Sequence, residues 1–312
     1  MNAMNKVSII IPVYYNHDNL RPLYDDLKAK LFAHEEYEWE IVMVDDGSKD
    51  DSWSIMKELA NEDKRIQIIK LSRNFGSHAA ILCGLSRATG NCMVVKAADL
   101  QEPTELILDM VTSWSAGNHV VLATRQERQE SFSQRLFANT YYSIVQRMAL
   151  PNMPSGGFDV FLLDRMVTDV LVHLNERNSA ITGQILWSGF QTAEIPYVRK
   201  AREIGESKWT LRKKIRLVAD TLFSFSTVPI TLVSAIGALS FFGALIWGII
   251  VLVARLSGLI LVSGWTTLFI FNLFSFGVIM LTLGILGGYL WRTFDASRNR
   301  PVYIIEETNK EA

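Results

Sequence analysis

The stretch VSIIIPVYYNHDNLRPLYDDLKAKLF, residues 7–32, decides the fold. Its first seven residues form a nearly continuous apolar run, which is typical of a strand buried on both faces. Apolar residues then recur every three or four positions, as they do in an amphipathic helix. A second apolar run, EIVMV at 40–44, follows after a short connection. Strand, helix and strand in this order form a βαβ unit, so we predict an α/β domain on a mainly parallel sheet.

The same alternation of apolar runs and amphipathic stretches continues along the first half of the chain. Strands are predicted at 7–13, 40–44, 66–71, 92–97 and 120–123, and helices at 19–32, 51–61, 77–88 and 103–114. A further helical stretch at 131–148 places Phe137, Tyr141, Ile144 and Met148 on one face. We assign residues 1–206 to this α/β domain.

The most apolar part of the chain lies near its C-terminal end. Between residues 228 and 290 the single charged residue is Arg255. Two stretches there, 228–254 and 266–290, each exceed the roughly 20 residues that cross a hydrocarbon core about 30 Å thick. We therefore predict a transmembrane helical hairpin over 228–292.

The distribution of basic residues predicts the orientation of this hairpin. Lysines and arginines lie just before the first span and just after the second, whereas the connecting loop 256–265 has none. Because basic residues stay on the cytoplasmic side, both chain ends are expected there, with residues 293–312 as a cytoplasmic tail. The N-terminal residues 1–15 lack the features of a signal peptide. The expected location is the inner, cytoplasmic membrane, with the large domain in the cytoplasm.

A strongly basic segment precedes the predicted hairpin. Between Arg199 and Arg216 eight basic residues face two acidic ones, although the formal net charge of the whole chain is −1 and gives no indication of nucleic acid binding. The basic residues are Arg199, Lys200, Arg202, Lys208, Arg212, Lys213, Lys214 and Arg216. Apolar residues of 208–225 share one helix face, so we predict an amphipathic interfacial helix over 207–227. Its basic face suits the phosphate of a lipid or of a nucleotide, and a solvated helix face is the alternative.

Polar side chains follow three of the predicted strands. Tyr14 and Asn16 come after the first strand, Asp45 and Asp46 after the second, and Asp99 after the fourth. Since ligands bind at the carboxyl ends of strands in open α/β sheets, we expect these residues to line one cleft. Each motif also has a structural interpretation, because such residues are common in turns and helix caps. A carboxylate in that cleft can hold Mg²⁺ or Mn²⁺, which prefer oxygen ligands and bridge phosphates.

Six motifs occur in a characteristic order along nearly the whole chain. They are VSIIIPVYYN, IVMVDDGSKDDS, KLSRNFGSHAAILCGL, AADLQEP, VVLATR and REIGESKW. In this order the sequence resembles the family 2 glycosyltransferases with a GT-A fold. The similarity is to their polyprenyl-phosphate branch, which is related to dolichyl-phosphate mannose synthase and the bactoprenol glucosyltransferases. The resemblance implies inverting transfer of a sugar from a nucleotide-sugar, with UDP favoured, to a polyprenyl phosphate such as undecaprenyl phosphate.

The resemblance also assigns roles to individual residues. The positions matched to nucleotide-sugar binding are Pro12, Tyr14, Asn16, Asp45, Asp46, Ala97, Asp99, Gln101 and Arg125. The positions matched to the acceptor phosphate and the membrane are Arg202, Ser207, Lys208, Arg212, Lys213 and Arg216. The expected catalytic set is Asp99, Asp159, Arg202 and Lys208. Asp99 matches the second acid of the family's D-x-D motif, so it is the expected ligand of Mg²⁺ or Mn²⁺.

Three positions depart from the family's pattern. Ala97 replaces the first acid of the D-x-D motif, so metal binding must depend on Asp99, with help from Gln101 or water. Asn16 stands where relatives often carry glutamate, and Asp159 stands in a motif that often contains arginine. A single carboxylate together with substrate phosphates can still hold a divalent cation, so we expect an active enzyme.

The implied acceptor determines the expected mechanism. A phosphate monoester has a second pKa near ~6 and is largely dianionic at neutral pH, so it can attack the anomeric carbon without a dedicated base. Catalysis then consists mainly of positioning and charge stabilisation, for which the metal, Arg202 and Lys208 are the expected groups. Attack in line with the leaving group inverts the anomeric centre.

Other functions are compatible with parts of the sequence. A non-catalytic nucleotide-sugar-binding membrane subunit would explain Ala97. A processive polysaccharide synthase would share the sheet, but the chain has two spans and lacks the Q-x-x-R-W motif. A homo-oligomer is expected because both spans carry glycines suited to close helix packing. These are Gly237, Gly243, Gly248, Gly284, Gly287 and Gly288.

Several motifs of other protein classes do not occur. No strand leads into G-x-G-x-x-G, and no G-x-x-x-x-G-K-[ST] is present, which disfavours a dehydrogenase and a P-loop enzyme. Cys83 and Cys92 have neither the spacing of metal ligands nor a disulfide framework around them. We predict that both cysteines are core residues.

Overall fold

The computed structural model describes residues 4–125, 143, 145–154, 156–174, 176, 179–199, 221, 223–257 and 264–310. The chain divides into two units, residues 1–221 with 301–312 and residues 222–300. The helix predicted at 131–148 lies mostly outside the described residues. The same holds for the interfacial helix predicted at 207–227, of which Thr221 and residues 223–227 are described.

The first unit is a sheet with helices on both faces. Its strands are β1 (Asn5–Val13), β2 (Tyr37–Asp45), β3 (Ile66–Leu71), β4 (Cys92–Val95), β5 (Val120–Arg125), β6 (Phe158–Asp164), β7 (Thr192–Tyr197) and β8 (Ile305–Thr308). Its helices are α1 (His17–Leu31), α2 (Ser52–Glu62), α3 (Ser77–Arg87), α4 (Leu106–Ser115), α5 (Arg165–Leu174) and α6 (Ile181–Trp187). The predicted alternation of strands and helices is confirmed.

The strand order in the sheet is β7-β5-β6-β4-β1-β2-β3-β8. The four adjacent strands β4, β1, β2 and β3 run parallel, as predicted. Strand β6 is antiparallel to both of its neighbours, and β7 runs parallel to β5. The sheet is therefore mixed, with a parallel half built from the βαβ units that the sequence predicts.

The core lies against both faces of the parallel strands. One face of β1 and β2, with Ile9 and Ile41, packs with apolar residues of α1, α2 and α4. On the other face α3 approaches the sheet closely, since a Cβ added at Gly84 would lie 2.4 Å from Ile10 Cγ2. Burial on both faces explains the nearly continuous apolar runs of these strands. Cys83 and Cys92 are buried and free, as predicted.

Helix α4 begins later than the sequence suggests. The prediction opened the helix at Pro103, but α4 starts at Leu106. The N–H of Leu106 donates to the Pro103 carbonyl, and the N–H of Ile107 donates to the Thr104 carbonyl, at 3.3 and 3.1 Å. These three-residue spacings form a tight turn before the first helical turn. Thr104 is buried there and donates to Asp26, so a side-chain contact that sequence periodicity does not reveal fixes the turn.

The C-terminal residues return to the sheet. Residues 293–312 are predicted as a cytoplasmic tail, but the second long helix continues to Ser297, and Ile305–Thr308 forms β8. This strand pairs antiparallel with β3 at the edge of the sheet. Without β8, β3 would be the edge of the sheet, and its unpaired backbone N–H and C=O groups could pair with one more strand. Because β8 is short and polar, its sequence carries no hydrophobic pattern that predicts a strand.

The second unit contains the two helices predicted as membrane spans, α7 (Val228–Leu256) and α8 (Trp265–Ser297). Both are long and apolar enough to cross a membrane, by length and composition, and no part of the most apolar stretch of each is buried. Near the base of α8, Tyr289 Oη donates to the Ser226 carbonyl at 3.3 Å. Gly288 allows the ring of Phe223 to pack beside α8, 3.4 Å from where a Cβ would stand. These contacts join the start of α7 to the end of α8, as in a helical hairpin.

Candidate active site

The carboxyl ends of β1, β2 and β4 meet at one edge of the sheet. Val13, the last residue of β1, is paired with Asp45, the last residue of β2. The N–H of Asp46 donates to the Val13 carbonyl at 2.9 Å, and the N–H of Lys96 donates to the Ile10 carbonyl at 3.0 Å. The motifs after these three strands therefore lie side by side, where ligands of open α/β sheets bind.

The turn after β2 is held by Asp46. Its carboxylate accepts hydrogen bonds from the backbone N–H groups of Phe75 and Gly76, at 2.7 and 2.9 Å. Gly47 has a φ of 71°, and a Cβ there would lie 2.6 Å from the backbone carbon of Arg73, so only glycine fits. Burial raises the pKa of Asp46, and the two N–H donors oppose that rise. Asp46 thus fixes the segment 73–76 beside the strand ends.

Asp45 lies beneath the same turn and is fully buried. Its Oδ1 accepts a hydrogen bond from the Ser48 N–H at 3.1 Å, whereas its Oδ2 accepts none from a described residue. Burial raises the pKa of this carboxyl group. In this arrangement Asp45 supports the turn and presents no surface at the cleft.

Two tyrosines form an aromatic surface after β1. Tyr14 and Tyr15 are 38% and 39% exposed, and their rings meet edge to face with centroids 4.7 Å apart. Tyr15 adopts a left-handed φ of 56°, and its N–H donates to Ser48 Oγ at 3.0 Å. Asn16 Oδ1 accepts from the Tyr14 N–H at 3.0 Å, and Pro12 lies within the strand. An exposed aromatic face at this position can stack on a nucleobase.

A cluster of ion pairs lies beyond the end of β4. Arg199 Nη2 lies 3.7 Å from Asp99 Oδ2 and 3.5 Å from Glu102 Oε1. Arg199 Nη1 lies 3.9 Å from Asp159 Oδ2, and Asp159 also forms an ion pair with Arg125. We call these five residues the acid–arginine cluster. It alternates positive and negative side chains, as a site for charged phosphates and a divalent cation would.

Four strands of the sheet bring the acid–arginine cluster together. Arg125 ends β5, and Asp159 lies near the start of the neighbouring strand β6. Arg199 follows β7 by two residues, and Asp99 and Glu102 lie in the segment between β4 and α4. The left-handed φ of 57° at Leu100 turns the chain between the two acids. The cluster is therefore a product of sheet order, which brings β5, β6 and β7 beside β4.

A buried lysine lies under the cluster. Lys96 is 1% exposed, and its Nζ donates to the backbone carbonyl of Glu102 at 2.6 Å. Burial lowers the pKa of Lys96 and raises the pKa of Glu102, while the attraction between the two side chains opposes both shifts. Burial likewise raises the pKa of Tyr197, which is the register partner of Arg125 at the end of β7. Lys96 thereby fixes the backbone from which the Glu102 carboxylate projects.

The residues present fit a divalent cation that is held together with a diphosphate. Both carboxylate oxygens of Glu102 are buried, and neither accepts a hydrogen bond from a described residue. Asp99 lies beside it, so two groups of hard oxygen donors face one place. Within the described ranges no group of three or more His, Cys, Asp or Glu side chains could form a metal site on its own. One or two carboxylates plus substrate phosphates is the usual arrangement for Mg²⁺.

The structure brings together part of the predicted site. Three predicted residues belong to the acid–arginine cluster, namely Asp99, Asp159 and Arg125. Gln101 lies beside it, and its backbone N–H donates to Asp99 Oδ1 at 3.4 Å. Ala97, half-buried, precedes this segment and offers no oxygen. Outside the described residues lie the predicted acceptor-site residues Arg202, Ser207, Lys208, Arg212, Lys213 and Arg216.

Four residues of the site are not predicted from the sequence. The sequence indicates Arg199 only as part of a basic segment, and it does not indicate Glu102, Lys96 or Tyr197 as site residues. One signal was present in the sequence, because a lysine directly after the apolar run CMVV is unusual at the end of a buried strand. The other three become recognisable only when sheet order places β7 beside β5.

Comparison with known proteins identifies the family. The family described as "Glycosyl transferase family 2" matches this chain over residues 8–172. The chain is 36% identical over 309 residues to the uncharacterized glycosyltransferase YkcC of Bacillus subtilis, covering 99% of this chain and 95% of that protein. It is 32% identical over 306 residues to a prophage bactoprenol glucosyl transferase homolog of Escherichia coli, covering 98% of this chain and 100% of that protein.

The chain is also similar to proteins of known structure. The mannosyltransferase PcManGT from Pyrobaculum calidifontis, solved in complex with GDP-Man and Mn²⁺, covers 90% of this chain and 88% of its own, with a TM-score of 0.47 and 17% identity. The fold class predicted from the six motifs is confirmed by the family match and the mixed α/β sheet. The chain belongs to glycosyl transferase family 2, with a GT-A domain followed by two apolar helices.

Proposed function

We propose that this protein transfers a sugar from a nucleotide-sugar, with UDP-sugar as the expected donor, to a polyprenyl phosphate at the cytoplasmic face of the membrane. The observation that carries the proposal is the acid–arginine cluster at the strand ends, next to the exposed tyrosines. The proteins named as bactoprenol glucosyl transferases that resemble the chain over nearly its whole length support the acceptor class. The lipid-linked sugar would supply modification of cell-surface glycans or lipids.

The charges of the site favour a donor that binds with a cation. Lys96, Arg125 and Arg199 carry three positive charges, and Asp99, Glu102 and Asp159 carry three negative charges when all are ionised. A divalent cation and a diphosphate with two negative charges leave that balance unchanged. Either one alone would put uncompensated charge into a partly buried site, which is costly.

The described residues contribute binding and orientation to the reaction. The Tyr14–Tyr15 surface stacks on the base, and the Arg125 guanidinium grips phosphate oxygens through two donors at once. Asp159 holds Arg125 in place and orients the sugar. When bound, Mg²⁺ or Mn²⁺ supplies positive charge against the leaving diphosphate. We propose Asp99 as its ligand.

The acceptor needs no general base. As a phosphate dianion it forms the new bond from its own oxygen to the anomeric carbon, while the bond from that carbon to the nucleoside diphosphate breaks. Attack from the side opposite the leaving group inverts the anomeric centre. In the proposal Arg202 and Lys208 hold the acceptor phosphate. The helix predicted at 207–227, with Ser207, Arg212, Lys213 and Arg216, would hold the lipid headgroup.

The chain path supports a membrane-anchored enzyme with both ends on one side. The chain leaves the first unit after residue 221 and returns to it at residue 301, where β8 pairs with β3. A hairpin whose two ends enter the same folded domain must have both ends on the same side of the membrane. The basic residues that flank the hairpin favour the cytoplasm for that side. A homo-oligomer remains a further proposal.

The decisive experiment measures nucleoside diphosphate release by the purified full-length protein. UDP- and GDP-sugars are tested with Mg²⁺ or Mn²⁺, with and without undecaprenyl phosphate, alongside Asp99→Asn and the exposed control Glu105→Gln. Release that requires lipid and metal, is lost in Asp99→Asn and is kept in Glu105→Gln supports the proposal. Release that is equally fast without lipid contradicts the acceptor.

A second function is favoured by one observation, the absence of an acid at position 97. A non-catalytic nucleotide-sugar-binding subunit would tolerate Ala97, because binding a donor does not require a complete D-x-D motif. The same assay separates the two. Donor binding without turnover for any sugar in the panel would favour the binding subunit.

A further inference from the structure

Arg199 is held loosely among three acids. Its distances to carboxylate oxygens of Asp99, Glu102 and Asp159 are 3.5 to 3.9 Å, longer than hydrogen bonds with good geometry. Its Nε is buried and donates to no described residue. The guanidinium is therefore held by charge attraction more than by directed hydrogen bonds, which suits a side chain that changes partners.

Glu102 is the acid of this cluster with the least satisfied carboxylate. Its side chain is 1% exposed, and both of its oxygens lack a hydrogen-bond donor among the described residues. A buried carboxylate without donors is unfavourable unless a cation approaches it. Arg199 Nη2 lies 3.5 Å from Glu102 and 3.7 Å from Asp99, so one nitrogen serves both acids.

We propose that Glu102 is the second carboxylate ligand of the divalent cation, replacing the acid that is missing at position 97, and that Arg199 holds that place until the cation arrives. The inference rests on the proposed function and adds to it a metal ligand and a displaced cation. Asp99 and Glu102 would hold the metal in place of their present ion pairs with Arg199 Nη2. The released guanidinium then turns its donors to the diphosphate that arrives with the metal.

This arrangement couples the binding of the cation to the binding of the nucleotide. A cation alone must displace Arg199 and leave a second positive charge nearby, which weakens its binding. With a nucleoside diphosphate present, Arg199 gains phosphate oxygens as new partners, and the cation gains phosphate ligands. The divalent ion should therefore bind weakly by itself and much more tightly with UDP.

The test is Mn²⁺ binding to the full-length protein in detergent micelles, followed by the electron paramagnetic resonance signal of free Mn²⁺, with and without UDP. Glu102→Gln keeps the side-chain shape and removes the charge, and we expect it to weaken Mn²⁺ binding about tenfold or more under both conditions. Arg199→Gln removes the competing cation, and we expect it to strengthen binding of Mn²⁺ alone by about tenfold. The opposite signs of the two effects distinguish this proposal from general damage to the site.

Matched controls come from the same chain. Glu105 is an exposed glutamate three residues after Glu102, paired with Lys30, and Arg21 is an arginine paired with Glu62 away from the strand ends. Glu105→Gln and Arg21→Gln should leave Mn²⁺ binding unchanged. If Glu102→Gln fails to fold, Glu102→Asp retains the charge on a shorter arm and should bind Mn²⁺ with reduced affinity.

Two results would overturn the inference. Glu102→Gln that folds and binds Mn²⁺ as tightly as the unaltered protein excludes Glu102 as a ligand. If Arg199→Gln binds Mn²⁺ without UDP no more tightly than the unaltered protein does, Arg199 is excluded as a competitor of the cation. Neither measurement involves an acceptor or a sugar, so the inference can fail while lipid-dependent transfer stands, and transfer can fail while the pattern of Mn²⁺ binding stands.

Discussion

Asn309 and Ile68 are joined by a hydrogen bond of 2.8 Å across 241 positions of the chain, with the Ile68 N–H donating to Asn309 Oδ1. Asn309 Nδ2 donates in turn to the Ile66 carbonyl at 3.1 Å. One side chain just after the end of β8 thus bonds to both kinds of backbone group on the neighbouring strand β3. Residues 305–309 are therefore part of the fold of the first unit, which is called the catalytic unit below.

We expect Asn309→Ala to destabilise the catalytic unit by about 1–2 kcal/mol, because two backbone groups of β3 lose their partner. Removing residues 301–312 should cost more, since all pairing of β8 with β3 is lost. Thermal unfolding of the full-length protein in detergent measures both effects. The control is Glu306→Gln, which changes the partly exposed ion pair of Glu306 on β8 with Lys70 on β3 and should have little effect. Unchanged unfolding in Asn309→Ala would show that the edge pairing does not stabilise the unit.

How much the sequence predicts depends on how local the physical signal is. The runs of β1 and β2 are buried on both faces, so their composition alone indicates strands. The hairpin is predicted for a similar reason, because length and apolar content are sufficient. The strand β8 is different, since its pairing depends on a free edge of β3 that only the folded sheet reveals.

The same distinction holds within the site. Asp46 and Asp99 follow strands that sequence periodicity identifies, so their position at the sheet edge is predictable. Arg199 and Glu102 meet because β7 lies beside β5 and β6 lies beside β4, and no local pattern encodes that order. The family resemblance implies roles for the motif positions. It does not indicate which residue takes the place of the acid that is absent at Ala97.

Asp46 has a structural task that should affect donor binding. In Asp46→Asn one acceptor oxygen is replaced by an NH₂ group that faces a backbone N–H, so the segment 73–76 loses at least one hydrogen bond. We expect a loss of stability of about 1–3 kcal/mol and a higher KM for the donor with a smaller change in kcat. Steady-state kinetics over donor concentration, together with thermal unfolding, measures both. Asp51→Asn, which changes the exposed acid before α2 that forms no capping hydrogen bond, is the matched control.

The ion pair between Arg125 and Asp159 should matter for turnover. Arg125→Gln removes a cation from the diphosphate site, and we expect kcat/KM to fall about a hundredfold. Asp159→Asn should lower it less, and the double variant should resemble Arg125→Gln, since Asp159 acts largely through Arg125. The exposed pair of Arg21 with Glu62 provides the control, because Arg21→Gln leaves the site intact. Fully additive losses would mean that Asp159 acts independently of Arg125.

The two cysteines should be unreactive in the folded protein. Burial raises the pKa of Cys83 to about 12 and also raises the pKa of Cys92. At pH 8 a thiol with a pKa of about 12 is ionised in about one molecule in ten thousand, and reactivity increases with pH because the thiolate is the nucleophile. A thiol-specific chromogenic reagent should therefore label neither residue in the native protein and both after denaturation. Rapid labelling of the native protein at pH 8 would contradict the buried positions.

The membrane hairpin should matter more for a long lipid than for a short one. A polyprenyl phosphate stays in the bilayer, so a protein without α7 and α8 must find it from solution, whereas a short-chain phosphate is freely soluble. We expect a variant in which residues 228–297 are replaced by a flexible linker to lose most activity on undecaprenyl phosphate in vesicles and to retain activity on a short-chain analogue. Retaining residues 298–312 keeps β8 available for β3, so the catalytic unit can fold. Equal loss on both acceptors would indicate that the hairpin serves folding or assembly, and equal retention would show that the catalytic unit reaches the membrane without it.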